Sequence, residues 1–277
     1  MRPSRRASPV LLLGIVLLLG MTAAAVLAPW LAPYPPNDQD LAHRFAGPDG
    51  RHPLGRDDLG RDLLSRSIWG ARTSLGTGLF VMLISMTIGV LAGASAGLAG
   101  GAIDLLLVAL IDLLLSFPGV LLAIALVAVL GPHWINVVVA LSGIGWIAYA
   151  RLARSSAQRL RGLEFVEAAR AAGATGPRLM TRHLLPNLLG PVIVQASLGL
   201  GGVILAEAGL SFLGLGVPPP TPSWGSLLRA GTQNLLDAPH LTIVPGAAIL
   251  ITVLGAQLLG EGLRARLDPR GDLESRG

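Results

Sequence analysis

Long apolar runs are the feature of this sequence that most restricts its fold. Six of them occupy residues 9–31, 73–98, 103–130, 134–149, 190–216 and 241–263. A helix needs about 20 mostly apolar residues to cross a bilayer, where its backbone hydrogen bonds are all made internally. Charged residues make up 13% of the chain, whereas they make up about 25% of a typical soluble domain. We therefore predict an all-α, polytopic membrane protein with six transmembrane helices.

The glycines of the second run predict how that helix packs. Gly89, Gly93, Gly97 and Gly101 recur every four residues, which places them on one face of a helix. A face of small residues lets two membrane helices approach closely. The third run should be kinked at residues 116–119, because Ser-Phe-Pro-Gly interrupts it there.

The distribution of arginine indicates the orientation. Arg2, Arg5 and Arg6 precede the first run, and residues 151–189 hold seven arginines and two glutamates, a net charge of +5. Because basic loops stay on the cytoplasmic side, both termini are expected in the cytoplasm of a bacterial cell. The six arginines of residues 32–72 are an exception to this rule. The first run could be a cleaved signal peptide, but its length favours an uncleaved span.

These boundaries divide the chain into four parts. They are a cytoplasmic N-terminus with the first transmembrane helix (1–31), a periplasmic segment (32–72), a transmembrane domain (73–263) and a cytoplasmic tail (264–277). Within the periplasmic segment, residues 59–69 carry leucine, isoleucine and tryptophan at helical spacing. This pattern predicts a separate amphipathic helix lying in the membrane interface.

Three aspartates of the periplasmic segment could suggest a metal site. Asp57, Asp58 and Asp62 lie close together, but Arg56 and Arg61 are interspersed with them. Local ion pairs are therefore the favoured interpretation. The chain has no cysteine, which excludes thiolate metal ligands, and we predict no metal site and no bound cofactor.

Three acidic residues lie within the predicted spans. Asp104 and Asp112 are eight residues apart in the third run, and Glu207 lies about nine residues from the outer end of the fifth. An acidic group in a membrane is costly and faces the interior of the helix bundle or water. A proton relay and a structural pairing are both open for these residues, with the structural role favoured.

The longest polar interruption among the later runs is residues 164–187, which read EFVEAARAAGATGPRLMTRHLLPN. Strong helix formers occupy its first half, and Gly173 then ends that helix. Thr175 can cap a second helix, with Pro177 in its first turn. The sequence therefore predicts a helix, a tight glycine turn and a second helix on the water side of the membrane.

This segment resembles the EAA loop of permease subunits in ATP-binding-cassette importers. The family pattern is met at Glu167, Ala168, Ala169, Gly173, Leu185 and Pro186. His183 stands where the general pattern has isoleucine. The sequences at 52–66, 206–217, 219–225 and 267–270 also resemble the second permease of the dipeptide, oligopeptide and nickel subfamily. Nearly the whole chain is covered by this resemblance.

The resemblance implies a permease with a cytoplasmic coupling helix between transmembrane helices 4 and 5. The partners it implies are a similar second permease, a pair of cytoplasmic ATPases that use the ATP, an extracytoplasmic solute-binding protein and membrane lipid. The EAA residues would transmit force and would not take part in chemistry. Dipeptides or oligopeptides are the expected cargo, and a nickel complex or a glutathione-like compound is the alternative.

An intramembrane enzyme is the alternative from another class of protein. The five histidines all lie outside the predicted spans, and no His-Glu-x-x-His zinc motif occurs. The chain also lacks the GxxxxGK[ST] loop that would hold ATP phosphates. We therefore predict that the protein is not an enzyme, has no catalytic residues and binds no nucleic acid.

Overall fold

The computed structural model of the protein describes residues 9–267, and within this range it has helices and no β-strand. The helices are α1 (Pro9–Val26), α2 (Ala28–Leu31), α3 (Leu63–Ala99), α4 (Gly101–Leu115), α5 (Gly119–Leu130), α6 (Trp134–Arg161), α7 (Glu164–Ala171), α8 (Gly176–Leu179), α9 (Leu185–Phe212), α10 (Trp224–Thr232) and α11 (His240–Leu267). A π-helical turn at Met180–Leu184 joins α8 to α9. The predicted all-α fold is confirmed.

The long apolar helices correspond to the predicted spans. Five helical stretches are long and apolar enough to cross a membrane, and α4 and α5 together make up to a sixth. Helices α4 and α5 meet at an angle of 82°. The predicted kink at residues 116–119 is therefore a complete break between two helices. The prediction of a polytopic membrane protein is confirmed.

Helix α3 begins earlier than the sequence suggested, and α6 ends later. The separate interfacial helix predicted at residues 59–69 is wrong, because Leu63–Ala99 is one continuous helix. Its start is set by Asp62, whose side chain accepts a hydrogen bond of 2.7 Å from the backbone N–H of Ser65. Nothing between the expected interfacial helix and the second span breaks the helix. Helix α6 continues to Arg161, twelve residues beyond the predicted end at 149.

Glycines bring α3 and α6 into close contact. A Cβ placed on Gly89 would lie 2.7 Å from the Cβ of Tyr149, and one placed on Gly93 would lie 2.8 Å from the Cα of Ala150. Gly97 likewise faces α6. The predicted small face is therefore where the two helices meet. Gly101, the fourth glycine of the series, is outside it because it begins α4.

The segment between α2 and α3 is held by ion pairs. Arg61 pairs with Asp57 at 2.7 Å and with Asp58 at 3.1 Å, so the predicted local ion pairing is confirmed for these two aspartates. Asp62 lies 2.8 Å from the ring of His52 instead, and both residues are buried.

A second pairing ties the same segment together closer to α2. The guanidinium of Arg56 and then the ring of His43 hydrogen-bond to the carboxylate of Asp40 and hold its pKa below the usual value. The chain between α2 and α3 is therefore a folded cap and not an extended linker.

The contact between α3 and α6 can be tested by filling it. Gly93→Leu should lower the free energy of unfolding by about 1–3 kcal/mol or more, because the added side chain meets the backbone of α6. The measurement is thermal unfolding of the purified protein in detergent. Gly76→Leu is the matched control on the same helix, since a Cβ at Gly76 meets nothing within 4 Å. Equal unfolding midpoints for the two variants would contradict this account of the packing.

Candidate functional site

The segment at residues 164–187 forms two short helices around a glycine turn. Helix α7 ends at Ala171, and Gly173 follows with a φ of +84°. The N–H of Ala174 donates to the carbonyl of Ala169 at 2.9 Å, which closes the turn. Pro177 lies in the first turn of α8, but the Thr175 side chain makes no capping hydrogen bond. The predicted helix, turn and helix are present, and the predicted threonine cap is not.

Buried apolar side chains hold this segment against the bundle. Val166 of α7 and Leu179 of α8 are 3% and 4% exposed. Leu184 and Leu188 are buried as well and pack with alanines of α6 in one apolar cluster. Both short helices and the turn that follows them therefore each have an apolar side chain buried against the bundle.

The predicted coupling residues fall into two groups. Glu167, Ala168 and Gly173 are exposed, and Ala169 is half-buried. Glu167 and Ala168 therefore give α7 a face that is accessible to solvent. Leu185 and Pro186 belong to the same sequence pattern, but they lie at the start of α9. Leu185 packs against the cluster around Leu184, and Pro186, which has no N–H to donate to the preceding turn, lies just after the π-helical turn at Met180–Leu184.

The segment is connected directly to α6 and α9, and it faces α3 across a cleft. Only residues 162–163 separate α6 from α7, and the π-helical turn runs directly from α8 into α9. A cleft of about 620 Å³ lies between α8 and the last turns of α3, with Pro177 and Leu179 on one side and Leu91 and Leu98 on the other. A displacement of α7 and α8 would therefore be passed to α6 and α9, with room beside α3 to move.

Asp104 is paired within the chain. The guanidinium of Arg154 donates to its two carboxylate oxygens at 2.5 Å and 2.7 Å, and Gln158 donates at 3.1 Å. This two-pronged ion pair joins the first turn of α4 to α6. It supports the structural interpretation of Asp104.

Asp112 is in a different environment. Its side chain is exposed on α4, and its carboxylate makes no hydrogen bond or ion pair among residues 9–267. Its neighbours Leu105, Leu106 and Leu113 are 70%, 70% and 61% exposed. The two aspartates of the third run are therefore not joined to each other. A carboxylate on such an apolar face requires water or a polar group from outside this chain.

Glu207 is buried near the outer end of α9. Its side chain accepts a hydrogen bond of 2.7 Å from the hydroxyl of Ser211, and the hydroxyls of Ser74 and Ser223 lie nearby, but its second carboxylate oxygen has no hydrogen-bond partner among the described residues. Helix α9 ends at Phe212, so Glu207 lies five residues, about 8 Å, from that end. The deeper position expected from the sequence is wrong because the run at 213–216 is not helical.

Arg72 immediately precedes the second apolar run, which makes it a possible partner for Glu207 from the sequence alone. Arg72 instead lies over the ring of Trp69, at 5.6 Å from its centroid. The serines around Glu207 were missed, because single serines carry little signal in a sequence.

Trp224 was missed as well. It is fully buried, and its backbone N–H donates to Ser74 while its indole N–H donates to the carbonyl of Ser67. Ser223 caps α10 with a reciprocal bond to Ser226. The serine three residues before another serine, just ahead of a helix, is a signal that could have located this cap. Helix α10 is thus clamped onto α3 beside Glu207.

One catalytic pattern in the sequence is not in a catalytic setting. Residues 93–97 read Gly-Ala-Ser-Ala-Gly, which matches the nucleophile pattern Gly-x-Ser-x-Gly. That chemistry requires a sharp turn from a strand into a helix. Here the residues lie inside α3, and their glycines pack against α6. The pattern is therefore explained by helix packing.

The role of Glu207 can be separated into hydrogen bonding and charge. Glu207→Gln should retain the bond to Ser211 and most of the stability. Glu207→Leu should cost about 1–3 kcal/mol, since it leaves buried hydroxyls without a partner. Thermal unfolding in detergent measures both, with Glu261→Leu at an exposed position of α11 as the control. A leucine variant as stable as the glutamine variant would contradict the structural role.

Comparison with known proteins matches two family models to the chain. Residues 85–272 match the binding-protein-dependent transport system inner membrane component, and residues 6–48 match the N-terminal transmembrane domain of oligopeptide transport permease C. The first match covers the segment at residues 164–187 and all of α4 to α11.

Several curated proteins are similar over almost their whole length. A di/tripeptide transport system permease protein of Pseudomonas aeruginosa is 43% identical over 93% of this chain and 87% of its own. A dipeptide transport system permease protein of Alkalihalophilus pseudofirmus is 39% identical over 94% and 85%. A glutathione transport system permease protein of Pectobacterium atrosepticum is 42% identical over 93% and 85%.

Proposed function

Because this chain belongs to the inner-membrane components of binding-protein-dependent transport systems, we infer that its segment at 164–187 couples it to a cytoplasmic ATPase. The protein is a multi-pass membrane protein and a permease subunit of an ATP-binding-cassette importer, which is not an enzyme. The proposal concerns which residues do the coupling, what is transported and which proteins assemble with this one.

The exposed face of α7 is the observation that carries the coupling proposal. Glu167 and Ala168 are exposed, whereas Val166 on the opposite side is buried. Small side chains at Ala168 and Ala169 let a partner surface approach the helix closely. An ATPase holding this face would move α7, and the short connections at both ends would transmit that movement to α6 and α9. The spans would then change which side of the membrane is open.

ATP must be bound by the partner. The chain contains no lysine and therefore no GxxxxGK[ST] loop, which is the element that holds nucleotide phosphates in such ATPases. We propose a pair of ATPases on the cytoplasmic side and a separate solute-binding protein on the other side. The role of this chain in the cycle is mechanical.

Small peptides are the proposed cargo. The similar proteins from Pseudomonas aeruginosa and Alkalihalophilus pseudofirmus are named for di/tripeptide and dipeptide transport, and the one from Pectobacterium atrosepticum for glutathione transport. Glutathione is itself a small peptide. All three names are therefore consistent with a short chain of amides, and the glutathione-like cargo remains the second candidate.

A second permease is supported by α4. Lipid can cover Leu105, Leu106 and Leu113, but it cannot satisfy the carboxylate of Asp112. A neighbouring transmembrane subunit, or the water-filled path between two subunits, would meet both requirements. The exposed side of α4 is therefore the proposed contact with a similar second permease.

The proposed orientation has both termini in the cytoplasm. Residues 151–189, with their net charge of +5, include the exposed coupling segment, and a basic loop of this size favours the cytoplasmic side. The N-terminal residues Arg2, Arg5 and Arg6 and the tail after residue 267 belong to the same proposal but lie outside the described residues.

Gly173 provides the test of the coupling segment. Gly173→Val places a β-branched side chain at a φ of +84°, where the strain is about 1–3 kcal/mol. The turn between α7 and α8 should distort, and ATP-dependent uptake in proteoliposomes should fall at least about tenfold. Gly162→Val is the control, since Gly162 has a φ of −90° and a Cβ there meets nothing within 4 Å. Normal uptake by an intact Gly173→Val complex would contradict the proposal.

A further inference from the structure

A cavity of about 300 Å³ opens between α3, α5, α6 and α9. Its size comes from small residues on all four helices, among them Gly119, Gly145, Gly199 and Gly202. The remaining walls are mostly apolar, and the cavity has no charged residue in its lining. It is separate from the coupling segment and from the cluster around Glu207.

Three uncharged polar side chains line this cavity. Ser85 is 1% exposed, and its hydroxyl oxygen is buried without a hydrogen-bond partner in the described chain. The hydroxyl of Tyr149 and the side-chain amide of Gln195 also make no hydrogen bond within residues 9–267. Tyr149 is nevertheless 4% exposed. Buried polar groups are almost always paired, so the hydroxyl of Ser85 indicates a missing partner, and the polar atoms of Tyr149 and the half-buried Gln195 face the same cavity.

The three groups reach the cavity from three different helices. Ser85 is 14 residues from the inner end of α3, Tyr149 is 12 from that of α6 and Gln195 is 10 from that of α9. At a rise of 1.5 Å per residue these separations are about 21, 18 and 15 Å. The three polar side chains therefore face the same cavity from three helices, each 10 to 14 residues from an end of its helix. Lipid chains offer no hydrogen bonds there, so lipid is a poor occupant.

We propose that this cavity is a contact site for the cargo, in which main-chain amides of a small peptide hydrogen-bond to Ser85, Tyr149 and Gln195. The inference extends the peptide cargo of the proposed function to a site on this permease. A peptide amide has one donor and one acceptor, and hydroxyl and carboxamide groups can match both. Because the lining carries no charge, the contact does not select for the charge of the cargo's side chains. This suits a carrier of many different peptides.

The first test fills the cavity. A Cβ at Gly202 meets nothing within 4 Å, and Gly202 lines the open space. Gly202→Leu in the complete transporter should therefore lower the uptake of a labelled dipeptide at least about fivefold. Gly20→Leu is the matched control, because Gly20 is exposed on α1 and a Cβ there is also free of contacts. Equal uptake by the two variants would overturn the proposal.

The second test asks whether the contact is a hydrogen bond to a peptide amide. Uptake of a dipeptide is compared with uptake of the same dipeptide methylated on its amide nitrogen, in proteoliposomes with the same solute-binding protein. One lost hydrogen bond corresponds to roughly a two- to tenfold effect. The preference for the unmethylated peptide should therefore shrink at least about twofold in Gln195→Leu. Any preference of the solute-binding protein for the unmethylated peptide is the same with either permease variant. It therefore cancels when the two uptake ratios are compared.

The outcomes separate this inference from the proposed function. If the wild-type complex transports peptide and Gln195→Leu keeps the full preference, the cavity does not bind the amide. Tyr149→Phe, which removes a single oxygen atom, gives the same readout if Gln195→Leu does not assemble. A loss of assembly with the second permease in both variants would place a side chain of that subunit in the cavity and overturn the proposal. A wild-type complex that transports no peptide would overturn the peptide cargo and this site together.

Discussion

The close approach of α3 and α6 is the constraint on which the rest of the structure depends. Gly89, Gly93 and Gly97 leave no space for side chains between the two backbones. In a membrane, helices associate through such packing because lipid supplies no hydrophobic driving force between them. Helix α6 is thereby held along most of its length. Asp104 then ties α4 to the same helix through Arg154, and α7 follows only two residues after its end.

This arrangement assigns different tasks to the two ends of the bundle. At the end where α3 begins, the ion pairs of Asp57, the hydrogen bond of Glu207 to Ser211 and the buried Trp224 hold the connecting segments onto the helices. At the other end, α7 has an exposed face and apolar anchors such as Val166. Firmly packed connecting segments at one end and an exposed helix at the other suit a subunit that is driven from one side. The cavity lined by Ser85, Tyr149 and Gln195 lies between these two ends of the bundle.

The sequence was informative where a local pattern has a single physical cause. Glycines every four residues predicted a packing face, and Gly173 within helix-forming residues predicted the turn that the structure contains. The sequence was less informative where a polar stretch continues directly into an apolar span, because no residue then marks a boundary between the two. The polar first turns of α3 resembled a surface helix, although Asp62 caps one continuous helix. The surroundings of Glu207 depend on Ser74 and Ser223, which are distant in the chain and are brought together only by tertiary packing.

The central claim, that the exposed face of α7 meets a cytoplasmic ATPase, is tested most directly by cross-linking. The chain has no cysteine, so Ala168→Cys carries the single thiol of this subunit, to which a photoactivatable cross-linker can be attached. Gly50→Cys, exposed in the segment between α2 and α3, is the matched control. The account predicts a cross-linked product with the ATPase from Ala168→Cys and none from Gly50→Cys in the assembled transporter. No product from Ala168→Cys, or equal products from both, would contradict it.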